Sequence, residues 1–346
     1  MTAEARRNAL REWFLAHSGV RGFTVDLQPV AGDASFRRYY RVAMPGGDTL
    51  VLCDAPPERE KNQEFVAVAG ALADAGVRVP EIVAANFEDG FLALEDLGDQ
   101  LLLPELSMQN VDTYYAQALD IQQRIAAIAT DSLVLPVYDA ATLAEEMDLF
   151  PRWFCEGLLD MALTAEERST YAQLRARLIE RALAQPQVAV HREFHARNLM
   201  LLPDGDLAVI DFQGAVVGPL SYDPVSLLRD CYLRWPAATV RRWASEHRQR
   251  LESAGIKVPE EAEFLVDFDW MGLQRHIKVL GIFARLKLRD GKSTYLEDLP
   301  RVAVYVSETL ALYPEEPAIR AFAAWFEAQV LPRVEKQPWY ASAAPS

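Results

Sequence analysis

The residues best suited to chemistry lie within one short stretch. Val188-Ala189-Val190-His191-Arg192-Glu193-Phe194-His195-Ala196-Arg197-Asn198 runs from an apolar strand into a polar loop, and Leu199–Leu202 then turns apolar again. Pro203-Asp204-Gly205-Asp206 is a strong turn signal, and Leu207–Ile210 leads back to Asp211-Phe212. A hairpin of this kind sets Asn198, at the start of one strand, opposite Asp211, at the end of the other. An amide oxygen facing a carboxylate makes a good pair of hard ligands for Mg²⁺. Glu193 precedes Asn198 in the same loop, placed to meet an incoming hydroxyl and accept its proton. By itself His-x-Glu reads as a solvated loop whose acid pairs with Arg192 or Arg197. Only its conjunction with Asn198, the turn and Asp211 points to a site.

The elements that must position these groups fall into two textures. Residues 3–17 form an amphipathic helix with Leu10, Trp13, Phe14 and Leu15 on one side. Short strands are expected at Phe23–Pro29, Phe36–Met44 and Thr49–Cys53, broken by Ala31-Gly32-Asp33 and by Pro45-Gly46-Gly47-Asp48. A helix carrying Phe65, Val68, Ala69 and Leu72 follows, then a hairpin from Glu81–Ala85 to Gly90–Leu94. After Leu97-Gly98-Asp99 the chain turns helical, over 109–130, 140–160 and 164–185. Beyond the candidate site, helices are expected at 222–233, 236–254, 259–289, 295–313 and 316–331. The fold class is therefore α+β: a small antiparallel β lobe over residues 1–97 and a large helical lobe over 98–346.

The stretch around Glu193 resembles the catalytic and metal-binding loops of the protein-kinase-like superfamily, His-x-Asp-x-x-x-x-Asn followed by Asp-Phe. That resemblance gives Glu193 the catalytic-base position, Asn198 and Asp211 the metal positions, and His191 a loop-bracing role. The superfamily has Asp where this chain has Glu193. The extra methylene carries the carboxylate about 1.5 Å further on a fixed backbone. Closer still is the likeness to the aminoglycoside-phosphotransferase branch, and within it to bacterial N-acetylmuramate/N-acetylglucosamine 1-kinases. It rests on Gly32-Asp33-Ala34-Ser35-Phe36-Arg37-Arg38-Tyr39, Asp54-Ala55-Pro56-Pro57-Glu58, Arg192 to Met200, and Asp211 to Asp223. The resemblance implies ATP and Mg²⁺ as cofactors and phosphorylation of the anomeric hydroxyl of an amino sugar, in peptidoglycan recycling. Gly214 stands where that group suggests an acid.

In such a fold the turn before Phe36 would cover the nucleotide phosphates, with Ser35 and backbone N–H groups at hand. The third strand, Thr49–Cys53, lacks the phosphate-pairing lysine, so Arg37, Arg38 or Lys61 is expected to supply the cation, with Glu64 as a possible partner. The linker from Glu95 to Leu97 would meet the adenine edge through its backbone. Asp96 and Asp99 are candidates to cap the next helix. Asp223 matches the buried aspartate that braces the catalytic loop, and equally suits a plain N-cap. Arg197 and Arg229 are candidate acceptor-binding residues, with Trp235, Trp270, Arg275 and His276 nearby in the helical region. An acceptor of another kind (aminoglycoside, choline, homoserine) fits the same motifs. So does a nucleotide-binding pseudokinase, given Glu193 and the absent lysine.

Composition narrows the partners. The chain has 346 residues and a formal net charge of −15, and Lys61 is its only lysine before Lys257. A chain this acidic has no footprint for nucleic acid or anionic membrane. A small-molecule sugar and ATP are the expected partners. Cys53, Cys155 and Cys231 are widely spaced among apolar residues, which indicates buried thiols rather than a metal site or a disulfide framework. The opening residues mix charge into their apolar positions, unlike a signal peptide, and the expected location is the cytoplasm.

Overall fold

Turn chemistry and apolar periodicity translate directly into the architecture. The structure, a computed structural model, describes residues 2–17, 25–30, 36–131 and 135–342. The chain divides into two compact units, Met1–Val134 with Ala196–Ala215, and Leu135–His195 with Val216–Ser346.

In the first unit, α1 (Ala3–His17) buries Leu10, Trp13 and Phe14. These join Leu27, Tyr40, Val42, Leu52, Phe91 and Ala93 in one core. The sheet is antiparallel, in the order β1-β2-β3-β5-β4. Its strands are β1 (Gln28–Val30), β2 (Arg38–Ala43), β3 (Thr49–Asp54), β4 (Ile82–Asn86) and β5 (Phe91–Glu95). Gly46 and Gly47, at φ 118° and 101°, make the tight turn between β2 and β3 that side chains would resist. Helix α2 (Asn62–Asp74) lies between β3 and β4 in the chain, and α3 (Val111–Ala126) follows the sheet.

The second unit is built on α8 (Glu261–Asp290), a 30-residue helix that is mostly buried and stops at Gly291, φ 71°. Against it pack α4 (Ala140–Met147), α5 (Ala165–Ala184), α6 (Tyr222–Leu228), α7 (Ala237–Ser253) and α9 (Leu299–Ala311), and α10 (Pro317–Trp325) packs on α5 and α9. Helix α5 starts in a full capping box, Thr164 with Glu167. Strand β6 (Gln187–Val190) pairs antiparallel with β9 (Val216–Pro219).

The expected helix over 140–160 breaks after Met147 and continues as a π-helical stretch, Phe150–Leu158, with Pro151 in its first turn. Proline has no N–H to donate to the preceding turn. Likewise 295–313 begins as a 3₁₀ segment and becomes α-helical only at Leu299-Pro300. All three cysteines are free and buried. No described helix is long and apolar enough to cross a membrane.

Candidate active site

The hairpin belongs to the first unit. Strands β7 (Leu199–Leu201) and β8 (Leu207–Val209) pair antiparallel, Leu199 opposite Val209. Gly205, at φ 90°, closes the turn by donating its N–H to Leu202 O at 2.9 Å, while Asp204 accepts the N–H of Asp206. Beyond the last register pair, Ile210 N–H still reaches Asn198 O at 3.0 Å. That extra rung brings the two side chains together: Asn198 Nδ2 donates to Asp211 Oδ2 at 3.3 Å. Asp211 sits at φ 64°, a strained setting for a residue with a Cβ. Its other oxygen accepts from the Gln213 amide. Next to it, Phe212 stacks on Phe65 of α2 with ring centroids 4.8 Å apart, so α2 fixes the hairpin's exit.

The loop carrying Glu193 belongs to the second unit. Asp223, fully buried in the first turn of α6, accepts the backbone N–H of His191 at 2.7 Å and of Arg192 at 3.0 Å. It does not cap its own helix. Burial pushes its carboxyl up to about 7, against the two N–H groups and Arg275, which favour the charge. His191 is buried and its Nδ1 accepts the N–H of Glu193 at 3.2 Å, so its ring braces the loop. Arg192 takes φ 74°. The side chain of Glu193 is 44% exposed, with His195 Nε2 3.4 Å from its carboxylate. Desolvation opposes its charge, but the His195 hydrogen bond and the fields of Lys278, His195 and Arg275 win, holding it well below the usual carboxylate range.

An amide and a carboxylate at the end of one hairpin, preceded in the chain by a braced acid, are parts suited to phosphoryl transfer. The profile of the phosphotransferase enzyme family matches residues 26–265. The chain belongs to that family. Relatives of this phosphotransferase include the N-acetylmuramate/N-acetylglucosamine kinases of Pseudomonas putida and Pseudomonas aeruginosa. Both are 42% identical, over 84% of this chain and 85% of the relative, and over 89% and 90%, respectively. Among solved structures, the Plasmodium vivax ethanolamine kinase aligns with a TM-score of 0.63 at 10% identity, covering 88% of this chain and 95% of that one. The architecture is thus protein-kinase-like, as its α+β pattern implied.

The candidate nucleotide-side residues of the phosphotransferase are dispersed. Ser35 lies outside the described residues. Arg37 is buried, its guanidinium 4.5 Å above the Phe65 ring and 3.5 Å from Glu60. Since Phe65 carries Phe212, Arg37 is only two rings from the Asp211 turn. Arg38, by contrast, pairs with the buried Asp54 at 3.1 Å, which also holds Arg6. Lys61 is an exposed residue at the start of α2. Glu95 gives its N–H to Glu81 O and its carboxylate to Arg78, and Leu97 is half-buried. Asp96 and Asp99 do not cap a helix: Arg41 takes both carboxylates.

Of the candidate acceptor residues, Arg197 lies half-buried in the 3₁₀ turn leading to Asn198. Arg229 is committed elsewhere: it pairs with buried Asp269 at 2.6 Å, alongside Arg241 and Tyr313. His276 donates from Nε2 to Arg229 O at 2.9 Å and stacks flat on Tyr305, and burial drops its pKa to about 3, so it stays neutral. Trp270 packs in the core. Sequence reasoning missed Glu146, His195 and Lys278. The local signal for Lys278 was a cation inside the apolar run Ile277-Lys278-Val279-Leu280, and a lysine is buried only where it is paired.

Proposed function

We propose that this phosphotransferase moves the γ-phosphate of ATP onto the anomeric hydroxyl of N-acetylmuramate or N-acetylglucosamine. The observation that carries this reading is the 42% identity to kinases of that name along almost their whole length. The donor set of Asn198 and Asp211 suits Mg²⁺, which keeps few protein ligands and takes the rest from phosphates and water. Mg²⁺ held there would neutralise charge on the nucleotide phosphates.

Glu193 receives a hydrogen bond from the sugar hydroxyl and finally its proton. An acid held this far toward its charged form is a weak base. Phosphoryl transfer tolerates that, because its loose transition state leaves the proton in place until late. His191 and Asp223 fix the loop that bears it. Arg37, paired with Glu60, supplies the cation for the nucleotide in place of a strand lysine, and the backbone from Glu95 to Leu97 meets the adenine. Residues 1–97 then serve the nucleotide, and 98–346 catalysis and the acceptor, with Arg197 toward the sugar. The reaction belongs in the cytoplasm, where ATP is available.

The test is transfer from ATP and Mg²⁺ to each amino sugar, with the product read by phosphorus NMR. Aminoglycoside, choline and homoserine serve as competing acceptors. A sugar 1-phosphate is expected, and Asp211→Ala should cut its formation by at least about 10²-fold, the scale of losing a positioned group. Transfer to another acceptor alone, or stabilisation by Mg-ATP without any transfer, refutes the reading.

A further inference from the structure

We infer that Glu146 and Lys278 form a positioning pair that holds the backbone conformation of the loop carrying Glu193. The inference rests on the proposed role of Glu193 as proton acceptor. It concerns two residues far from it in sequence, one on α4 and one in the middle of α8.

The geometry begins at Arg192. A residue with a long side chain at φ 74° is held against its intrinsic preference, and something must hold it. Its N–H is fixed by Asp223 at 3.0 Å. At the other end its guanidinium pairs with Glu146 and lies over the Tyr138 ring, 5.0 Å from the centroid. Glu146 in turn accepts from Tyr138 Oη and pairs with Lys278 Nζ at 2.9 Å. Lys278 is 4% exposed at its side chain and donates to Tyr222 Oη at 3.0 Å. Tyr222 is the residue next to Asp223, and its ring meets Tyr138 edge-on at 5.5 Å. Both anchors of Arg192 therefore close into one ring of contacts, and Glu193 is the next residue along the chain.

Glu146 answers two cations of the ring, Arg192 and Lys278, and Asp223 is a further acid within it. Lys278 keeps its own proton despite burial, because Tyr222 and Glu146 favour the charged form. Glu146 thus holds Arg192, and with it the direction in which Glu193 points, and Lys278 holds Glu146 in place.

Glu146→Gln takes the anion from Arg192, and Lys278→Met takes from Glu146 its second partner. In both variants kcat for sugar phosphorylation should drop roughly tenfold with the KM for ATP within about twofold, as expected when a positioning contact to a charged group is lost. Amide hydrogen exchange at Arg192 and Glu193 should quicken in both as the loop loosens.

Arg192→Gly guards against misfolding as the cause. Glycine adopts φ 74° without strain, yet it lacks the anchor, so it should fold and still lose kcat. A kcat within about twofold of wild type in folded Glu146→Gln or Lys278→Met overturns the inference. So does a kcat within about twofold of wild type in a folded Arg192→Gly. Should the wild-type protein phosphorylate no sugar at all, the proposed function falls on that result, while amide exchange at Arg192 and Glu193 still decides whether the pair holds the loop.

Discussion

Replacing Asp223 by Asn tests how the catalytic loop is built. Asp223 accepts two backbone N–H groups, at 2.7 Å and 3.0 Å, one on each oxygen. Asn supplies one acceptor and turns an NH₂ toward the second N–H. Above pH 7, where Asp223 is ionised, losing one bond to this charged acceptor costs about 1.5–3 kcal/mol, enough to lower kcat about tenfold to 150-fold as the loop loosens. The stability curve is the sharper readout. Burial raises the native midpoint of Asp223 from 3.8 to about 7. Between those values the native state keeps the proton and the unfolded chain has released it. Stability therefore falls as pH rises through this window and levels off above it. From pH 5 to pH 8 the protein crosses about two units of the window, at about 1.4 kcal/mol each, or roughly 3 kcal/mol. The amide of the Asp223→Asn variant does not titrate. Urea unfolding of both proteins across this range should show the advantage of wild type over Asp223→Asn shrinking by that amount as pH rises. Parallel curves would show that Asp223 does not hold a proton in the native state, and the reasoning from burial would fail.

Two further outcomes are expected. Gly281 on α8 packs so closely that a Cβ would lie 2.4 Å from the Leu149 carbonyl carbon and 2.6 Å from Phe150 N. Gly281→Ala should lose about 1–3 kcal/mol in denaturant unfolding despite the better helix former, and a stabilised variant would show that this approach is not tight. Arg37→Ala should raise the KM for ATP about tenfold through the loss of a charge-assisted contact, whereas Arg38→Ala, at a residue already engaged by Asp54, should change it less than about twofold. Equal effects in steady-state kinetics would remove Arg37 from the nucleotide.

What the sequence revealed depended on whether a feature was local. The Leu199–Val209 hairpin was readable because Pro203-Asp204-Gly205-Asp206 specifies a turn and the flanks are apolar, and from it came the meeting of Asn198 with Asp211. The hidden partners were long-range. Nothing near Asp96 announces Arg41, 55 residues away and across the sheet, so a helix cap was the natural expectation. Arg229 looked like an open cation because its partner Asp269 sits 40 residues on. Strand β9 went unassigned, since a run as short as Val216–Pro219 has too little alternation to stand out from loop. Proline set two of the helix limits: Pro151 turned one expected helix into two segments, and α9 begins at Leu299-Pro300.

The order in which the chain visits its two compact units has a consequence for how the protein is made. Residues 196–215 leave the helical unit, pair with the first one, and return. Leu101 bridges to Met200 there, and Val209 N–H bonds Arg78 O at 2.8 Å. A ribosome that has released residues 1–134 has therefore not yet supplied everything that half needs. Cutting the gene at that point would yield a fragment with an open flank and a remainder carrying an orphaned hairpin. Splitting this protein into separately produced pieces would require grafting the hairpin onto the first of them.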